Sequence, residues 1–340
     1  MKAKSLLLAT GIWLLAAFPI FAGGQKEAAK GNGPELKDIT VMTQTNPAFA
    51  TMSVALEKGW FKEAGFNQVK VLNFTSGNEA GQALISGRLD VWLPGNLPVI
   101  TMRNNGLPIV IAGNLTYAPA EMLMVRNDAG VKTPADLYKI KIGLMEGSTA
   151  SAVLYNLAKA NGLDMAKMNL VNLQPPEQVT ALRNNEIQAL VCWPPQPLQV
   201  KDVATYMFDS MKYSETEVPI VFGANLLRQD PNTAKAILSV LYRAQEFVLQ
   251  HPAEAQQIHA TASQQPLTLV KEMWPFYWSA GPAYGHIDDA FVNGYNNYTQ
   301  YLVASGIITK KPVAVLSYID TALLSQLHPS YVSVQGEWKP

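Results

Sequence analysis

The sequence predicts an α/β protein of about two domains with largely parallel sheets. Three observations carry this reading. The 340 residues exceed the ~150 that one domain commonly uses. Short β-prone runs alternate with helical runs through polar, glycine-bearing turns, as in strand–turn–helix units. The alternation then restarts at Glu121, after the turn-rich residues 113–119, as a second lobe would.

The first strand is read at Ile39-Thr40-Val41-Met42 and runs into Thr45-Asn46-Pro47. There Asn46 can cap a helix and Pro47 can occupy its first turn. Phe49, Met52, Leu56 and Trp60 recur at three- and four-residue spacing, so one helix face is apolar; Gly59 and Gly65 mark breaks. Residues 69–74 form a second strand, Ser76-Gly77-Asn78 opens a helix through Ala80, Leu84 and Ile85, and 89–93 is a third strand before Pro94-Gly95-Asn96. In such folds ligands sit at the carboxyl ends of strands, where Thr45-Asn46, Ser76-Gly77 and Gly95-Asn96 all fall. Residues 109–112 are a strand, and 113–119 the first crossing.

In the second half Thr133-Pro134-Ala135-Asp136 starts a short helix and 140–144 is a strand. Glu146-Gly147-Ser148-Thr149 opens the helix 150–160, which Asn161-Gly162 stops. Residues 177–185 are helical, and Ala189-Leu190-Val191 is a strand ending in Cys192-Trp193-Pro194-Pro195. The β-prone residues 219–226 return the chain, after which 231–249 is a helix with Ile237, Leu241, Ala244 and Val248 on one face. The remainder to Leu327 is helical and rich in aromatics.

Composition excludes several classes. Hydrophobic residues at 48% and charged residues at 15% fit a folded globular chain. The 26 basic residues equal the 26 acidic ones, so the positive field that holds a nucleic-acid backbone is missing. Cys192 has no second cysteine to pair with, and its plain reading is a small buried side chain. His251, His259, His286 and His328 lack the spacing of a metal motif. No metal, cofactor or catalytic set is expected. Lys2 and Lys4 precede an apolar run at 6–21 that ends in Ala22-Gly23-Gly24, the layout of a cleaved export signal. Removal of residues 1–22 takes two of the basic residues and none of the acidic ones. With no cysteine near the cleavage point, a soluble periplasmic form without lipid is expected, preceded by a flexible leader at 23–38.

Residues 55–65, Ala-Leu-Glu-Lys-Gly-Trp-Phe-Lys-Glu-Ala-Gly, resemble the opening helix of the sulfonate, nitrate and taurine solute-binding proteins of bacterial ABC importers. The resemblance continues through Ser86-Gly87-Arg88-Leu89-Asp90, Gly95-Asn96-Leu97-Pro98, residues 132–137, Ile142-Gly143, Gly147-Ser148-Thr149, Cys192-Trp193-Pro194-Pro195 and Gly306-Ile307-Ile308. It implies a type II periplasmic-binding-protein fold, two α/β lobes joined by two crossings. Lobe 1 would comprise residues 39–118 and 223–340, and lobe 2 residues 119–222. It further implies a monomeric receptor that takes a small molecule, a sulfonate, nitrate or related anion first, and delivers it to an inner-membrane ABC permease with its ATPase. Family relatives also bind pyrimidine precursors of thiamine, and an enzyme on the same scaffold is the rival of different class.

The candidate ligand-binding residues are Thr45, Asn46, Ser76, Gly77, Gly95, Asn96, Asn114, Ser148, Thr149, Trp193 and Asn225. Ser148-Thr149 at a helix start can present unpaired N–H groups to an anion; the same residues also make an ordinary cap. Trp193, between a strand and two prolines, can wall a cleft or simply pack between lobes. Trp92 and the group Trp274, Phe276, Tyr277 and Trp278 read as core. Arg88 and Arg103 lie on or after helices, where a solvated face is the simpler reading.

Overall fold

The computed structural model describes residues 33–278 and 284–340. The expected export signal, residues 1–22, and the leader residues 23–32 lie outside them.

Strands β1 (Asp38–Thr43) and β2 (Gln68–Asn73) pair in parallel, Ile39 opposite Val69 and Val41 opposite Val71. On the other flank of β1, Val41 bridges Val91, and Trp92 bridges Val221. Val221 belongs to β9 (Glu217–Gly223), which pairs antiparallel with β3 (Ile109–Tyr117). The second sheet has the order β6-β5-β7-β4-β8. Its strands are β4 (Met122–Arg126), β5 (Lys141–Leu144), β6 (Asn169–Asn172), β7 (Ala189–Cys192) and β8 (Ala204–Tyr206). β5 runs parallel to β6 and β7, whereas β4 is antiparallel to β7 and β8.

The sheets are therefore mixed, and the expectation of largely parallel pairing is corrected. The antiparallel pairs involve the strands beside the crossings: a chain that leaves along β3 and returns along β9 has to run both ways. Residues 113–117, expected as turns, continue β3, because every residue from Ile109 to Thr116 is buried and its ladder partners lie on β9. At 89–93 the expected strand is reduced to the two single bridges at Val91 and Trp92. Strand β6 was not foreseen, its four residues being polar at both ends. Residues 224–226 begin the helix Ala224–Gln229 instead of extending β9.

Packing explains the two lobes. The largest buried cluster joins residues 39–120 to 218–324, together with Ala152. Val218, Ile220 and Phe222, expected in lobe 2, sit in this cluster because β9 pairs with β3. Two smaller clusters lie on opposite faces of the second sheet. Leu123 and Val125 of β4 enter one, Met122 and Met124 the other, the two-residue alternation of a strand covered on both faces. Cys192 is free and buried in the latter. Trp92 is fully buried, as expected, and its Nε1–H donates to the Gly77 carbonyl at 2.9 Å; truncation to alanine would cost ~3–5 kcal/mol.

The last leader residues are not loose. The Glu35 carboxylate accepts from Asn232 Nδ2 (2.8 Å) and from the backbone N–H of Thr233 (2.9 Å), and Leu36 N–H donates to Thr233 Oγ1. The helix Pro231–Gln250 has no side-chain cap from its own Asp230, so Glu35 supplies the acceptor its first turn needs.

Candidate ligand-binding cleft

Each wall of the cleft begins as a turn beside a strand end. Beyond β1, Asn46 Oδ1 accepts from Ala48 N–H (3.1 Å) and caps the turn Pro47–Phe49, as expected, while its Nδ2 donates to Gln44 Oε1 (3.0 Å). Ser76 caps the helix Gly77–Ile85 through the Glu79 N–H. Gly95 precedes the helix Asn96–Asn104. Opposite them stands the helix Thr149–Ala160. Its N-terminal neighbour Ser148 turns its hydroxyl onto the Met145 carbonyl at 2.6 Å and makes no side-chain cap. Of the first-turn donors, the Ser151 N–H bonds to the Ser148 carbonyl at 3.1 Å, and no side chain caps the helix.

These turns border a cavity of about 70 Å³. Asn46, Gly77, Gly95, Ser148, Thr149 and Trp193 line it, so six of the eleven candidates meet there. The other five do not. Thr45 turns its carbonyl toward His259, and the Ser76 hydroxyl is committed to its cap. Asn96 donates to the Glu215 carbonyl. Asn114 donates to Glu217 Oε2 (2.8 Å) and the His286 carbonyl. Asn225 is on a separate surface hollow with Leu84, Pro108 and Asp230. None of these five residues lines the cavity.

Sequence reasoning missed Gln44, Glu121, Met145, Thr216 and Tyr277 in the lining. Tyr277, expected as packing, reaches across to the Pro194 carbonyl with its hydroxyl (3.3 Å). Glu121 is the chemically informative one. It stands immediately before β4 at 2% exposure. Burial pushes its carboxyl above the ordinary range, while hydrogen bonds from Ser214, Thr149 and Thr216 pull the other way. Thr216 Oγ1 lies 2.8 Å from Oε1, and Ser214 Oγ on Oε2. Among the described lining residues there is no lysine or arginine. An acid in the middle of an otherwise apolar run, Ala118 to Val125, was the available signal.

Two α/β lobes flanking a small cavity make up an architecture that solved structures share. The alkanesulfonate-binding protein SsuA of Xanthomonas axonopodis pv. citri superposes with a TM-score of 0.74 at 18% identity, over 84% of this chain and 99% of that one. The nitrate-binding protein NrtA of Synechocystis PCC 6803 gives 0.72 at 17%, over 88% and 90%. The desulfurization enzyme DszB gives 0.63 at 16%, over 86% and 99%. The fold is that of the periplasmic binding proteins. By sequence, residues 46–255 match the NMT1/THI5-like family model, more than half of the chain, and the protein belongs to that family. A Bacillus subtilis (strain 168) protein provisionally named as aliphatic sulfonates-binding is 29% identical over 188 residues, 54% of this chain and 56% of that one. The taurine-binding periplasmic protein of Escherichia coli K12 is 25% identical over 222 residues, 63% and 68%. The formylaminopyrimidine-binding protein of Halalkalibacterium halodurans is 26% identical over 164, 48% and 49%. The chain thus spans about half to two thirds of the length of these relatives.

Proposed function

We propose that this chain is the periplasmic solute-binding component of an ABC importer, and that its solute is a compact sulfonate or related anion that also carries a protonated amine. The observation behind this is Glu121, a buried acid that lines a cavity whose other lining residues include no basic side chain. A buried carboxyl ionises only when an opposite charge compensates for its burial, and an ammonium group on the solute supplies one. Across the cavity, the uncapped start of helix Thr149–Ala160 offers N–H groups and a positive dipole end to the anionic head. The volume of about 70 Å³ is far below the ~300–1,000 Å³ of pockets for drug-sized ligands, which favours few-atom solutes. The curated relatives named above are binding proteins, which supports a receptor in preference to an enzyme. Among the described residues no helix is long and apolar enough to cross a membrane. Export through the signal at residues 1–22, a monomeric state, and delivery to an inner-membrane permease with its ATPase belong to the same reading.

A flat aminopyrimidine is the second reading, favoured by the Trp193 and Tyr277 rings in the lining and by the capacity of Glu121 to accept from a ring amine. The test is thermal shift followed by calorimetry on residues 23–340 with taurine, ethanesulfonate, nitrate, a dicarboxylate and an aminopyrimidine. A ligand of the folded state raises the melting temperature with concentration. Taurine should outrank ethanesulfonate and nitrate. Equal binding of nitrate and taurine would sink the amine assignment, and a dominant aminopyrimidine would select the second reading.

A further inference from the structure

Residues 44–46 belong to neither β1 nor the following turn, yet they carry two side chains of the cleft wall, Gln44 and Asn46. What fixes them is a histidine outside every motif noted above. His259 lies on the helix Pro252–Ser263 with 0% exposure. Its Nε2 is 3.2 Å from the Thr45 carbonyl oxygen, and its Nδ1 is 2.9 Å from Ser53 Oγ on the helix Ala50–Glu57. A carbonyl can only accept, so Nε2 carries the proton, and Nδ1 is left bare to accept from the Ser53 hydroxyl. Ser53 Oγ also lies 3.2 Å from the Phe49 carbonyl, but its single proton is better placed on the nearer Nδ1. Burial pulls the imidazole down to about 4, so the ring is neutral at ordinary pH and this tautomer persists. Two residues further on, Trp278 Nε1–H donates to the Pro47 carbonyl at 2.7 Å. Two ring N–H donors from the last third of the chain thus grip the carbonyls on either side of Asn46.

We propose that His259 is a positioning residue for the solute site: its Nε2–H bond to Thr45 fixes the peptide that aims Gln44 and Asn46 into the cleft, and Ser53 fixes the ring. The solute-facing part of this rests on the cleft reading given above; the grip on Thr45 does not.

The two amide replacements separate the ring nitrogens. His259→Gln places an amide nitrogen where Nε2 stood and keeps a donor for Thr45. His259→Asn ends at the position of Nδ1, so it can meet Ser53 but not Thr45. Amide hydrogen exchange over residues 44–50 and calorimetry with taurine are measured on wild type and both variants. For His259→Asn, exchange over 44–50 should quicken and the taurine Kd should rise about 2- to 10-fold, the worth of one hydrogen bond. His259→Gln should keep wild-type exchange there and a Kd within about twofold. Equal effects of the two variants, as a merely space-filling histidine would give, overturn the proposal. If wild type binds no taurine, the cleft reading falls by itself, and the exchange comparison still decides whether His259 holds Thr45.

Discussion

Glu121 and Glu217 lie beside the two chain crossings, and burial pushes both carboxyls up. Their partners give them different roles. Glu121 lines the cavity and accepts from three hydroxyl donors, and under the proposed function a charge brought by the solute completes it. Glu121→Gln should weaken an amine-bearing sulfonate by ~1.5–3 kcal/mol, the range for hydrogen bonds to charged groups, and leave nitrate little changed. In wild type the ammonium needs the ionised acid, so affinity should fall as pH drops through the raised value of the free protein. Calorimetry across pH 4–8 should show that slope, and the glutamine variant should lack it. Glu217, by contrast, has Asn114 as its partner, and burial pushes its carboxyl up to about 8. The folded protein then keeps a proton that the unfolded chain, near 4.5, has released. Its contribution is complete below the unfolded value and is lost as pH rises toward 8, at roughly 1.4 kcal/mol per unit as an upper limit. Glu217→Gln should flatten that decline in denaturant melts, leaving the variant more stable than wild type at pH 8 and equal to it at pH 4. A parallel decline in both proteins would show that Glu217 is not its source.

At the scale of elements, the two helix starts that face each other are matched in size. A Cβ on Gly95 would stand 2.9 Å from Thr149 Cγ2, closer than real Cβ contacts allow, so the glycine permits the lobes to meet. Gly95→Ala should hold them apart and weaken binding about tenfold, the scale of a 1–3 kcal/mol overpacking strain. Gly95→Ala with Thr149→Ser, which deletes the offending methyl and keeps the hydroxyl on Glu121, should recover most of the loss. Titration of the double variant settles it, since an unrepaired affinity would mean that the clash is not the cause. Elements with their own chemistry were legible: Asn46-Pro47, Ser76-Gly77 and Thr133-Pro134-Ala135-Asp136 each cap the turn or helix expected of them. The strand β6, with only Leu170 and Val171 half-buried between two exposed asparagines, gave no such signal.

For the whole molecule, alternation and the restart at Glu121 were enough to read two α/β lobes, because local periodicity records which face of each element is covered. Direction of pairing was not legible, since antiparallel β3 and β9 are joined by contacts about a hundred residues apart. The site was half legible for the same reason. Turns at strand ends are local, whereas Glu121, Thr216 and Tyr277 reach the cavity only through the crossings and the distant helices. The outer edge of β3 illustrates how far this dependence extends. Ile111 bridges Ile319, and the backbone N–H groups of Glu337 and Trp338 bond to Leu316 and Ile319. The fully buried residues of the two smaller clusters, by contrast, all fall within the stretch 122–204. A chain emerging from a ribosome or an export channel can therefore settle its middle first, while the sheet around β3 waits for residues 316–338. Until they arrive, every cavity-lining turn of the first lobe has been synthesised, but the strand that carries the crossing still has an open edge for another chain to pair with.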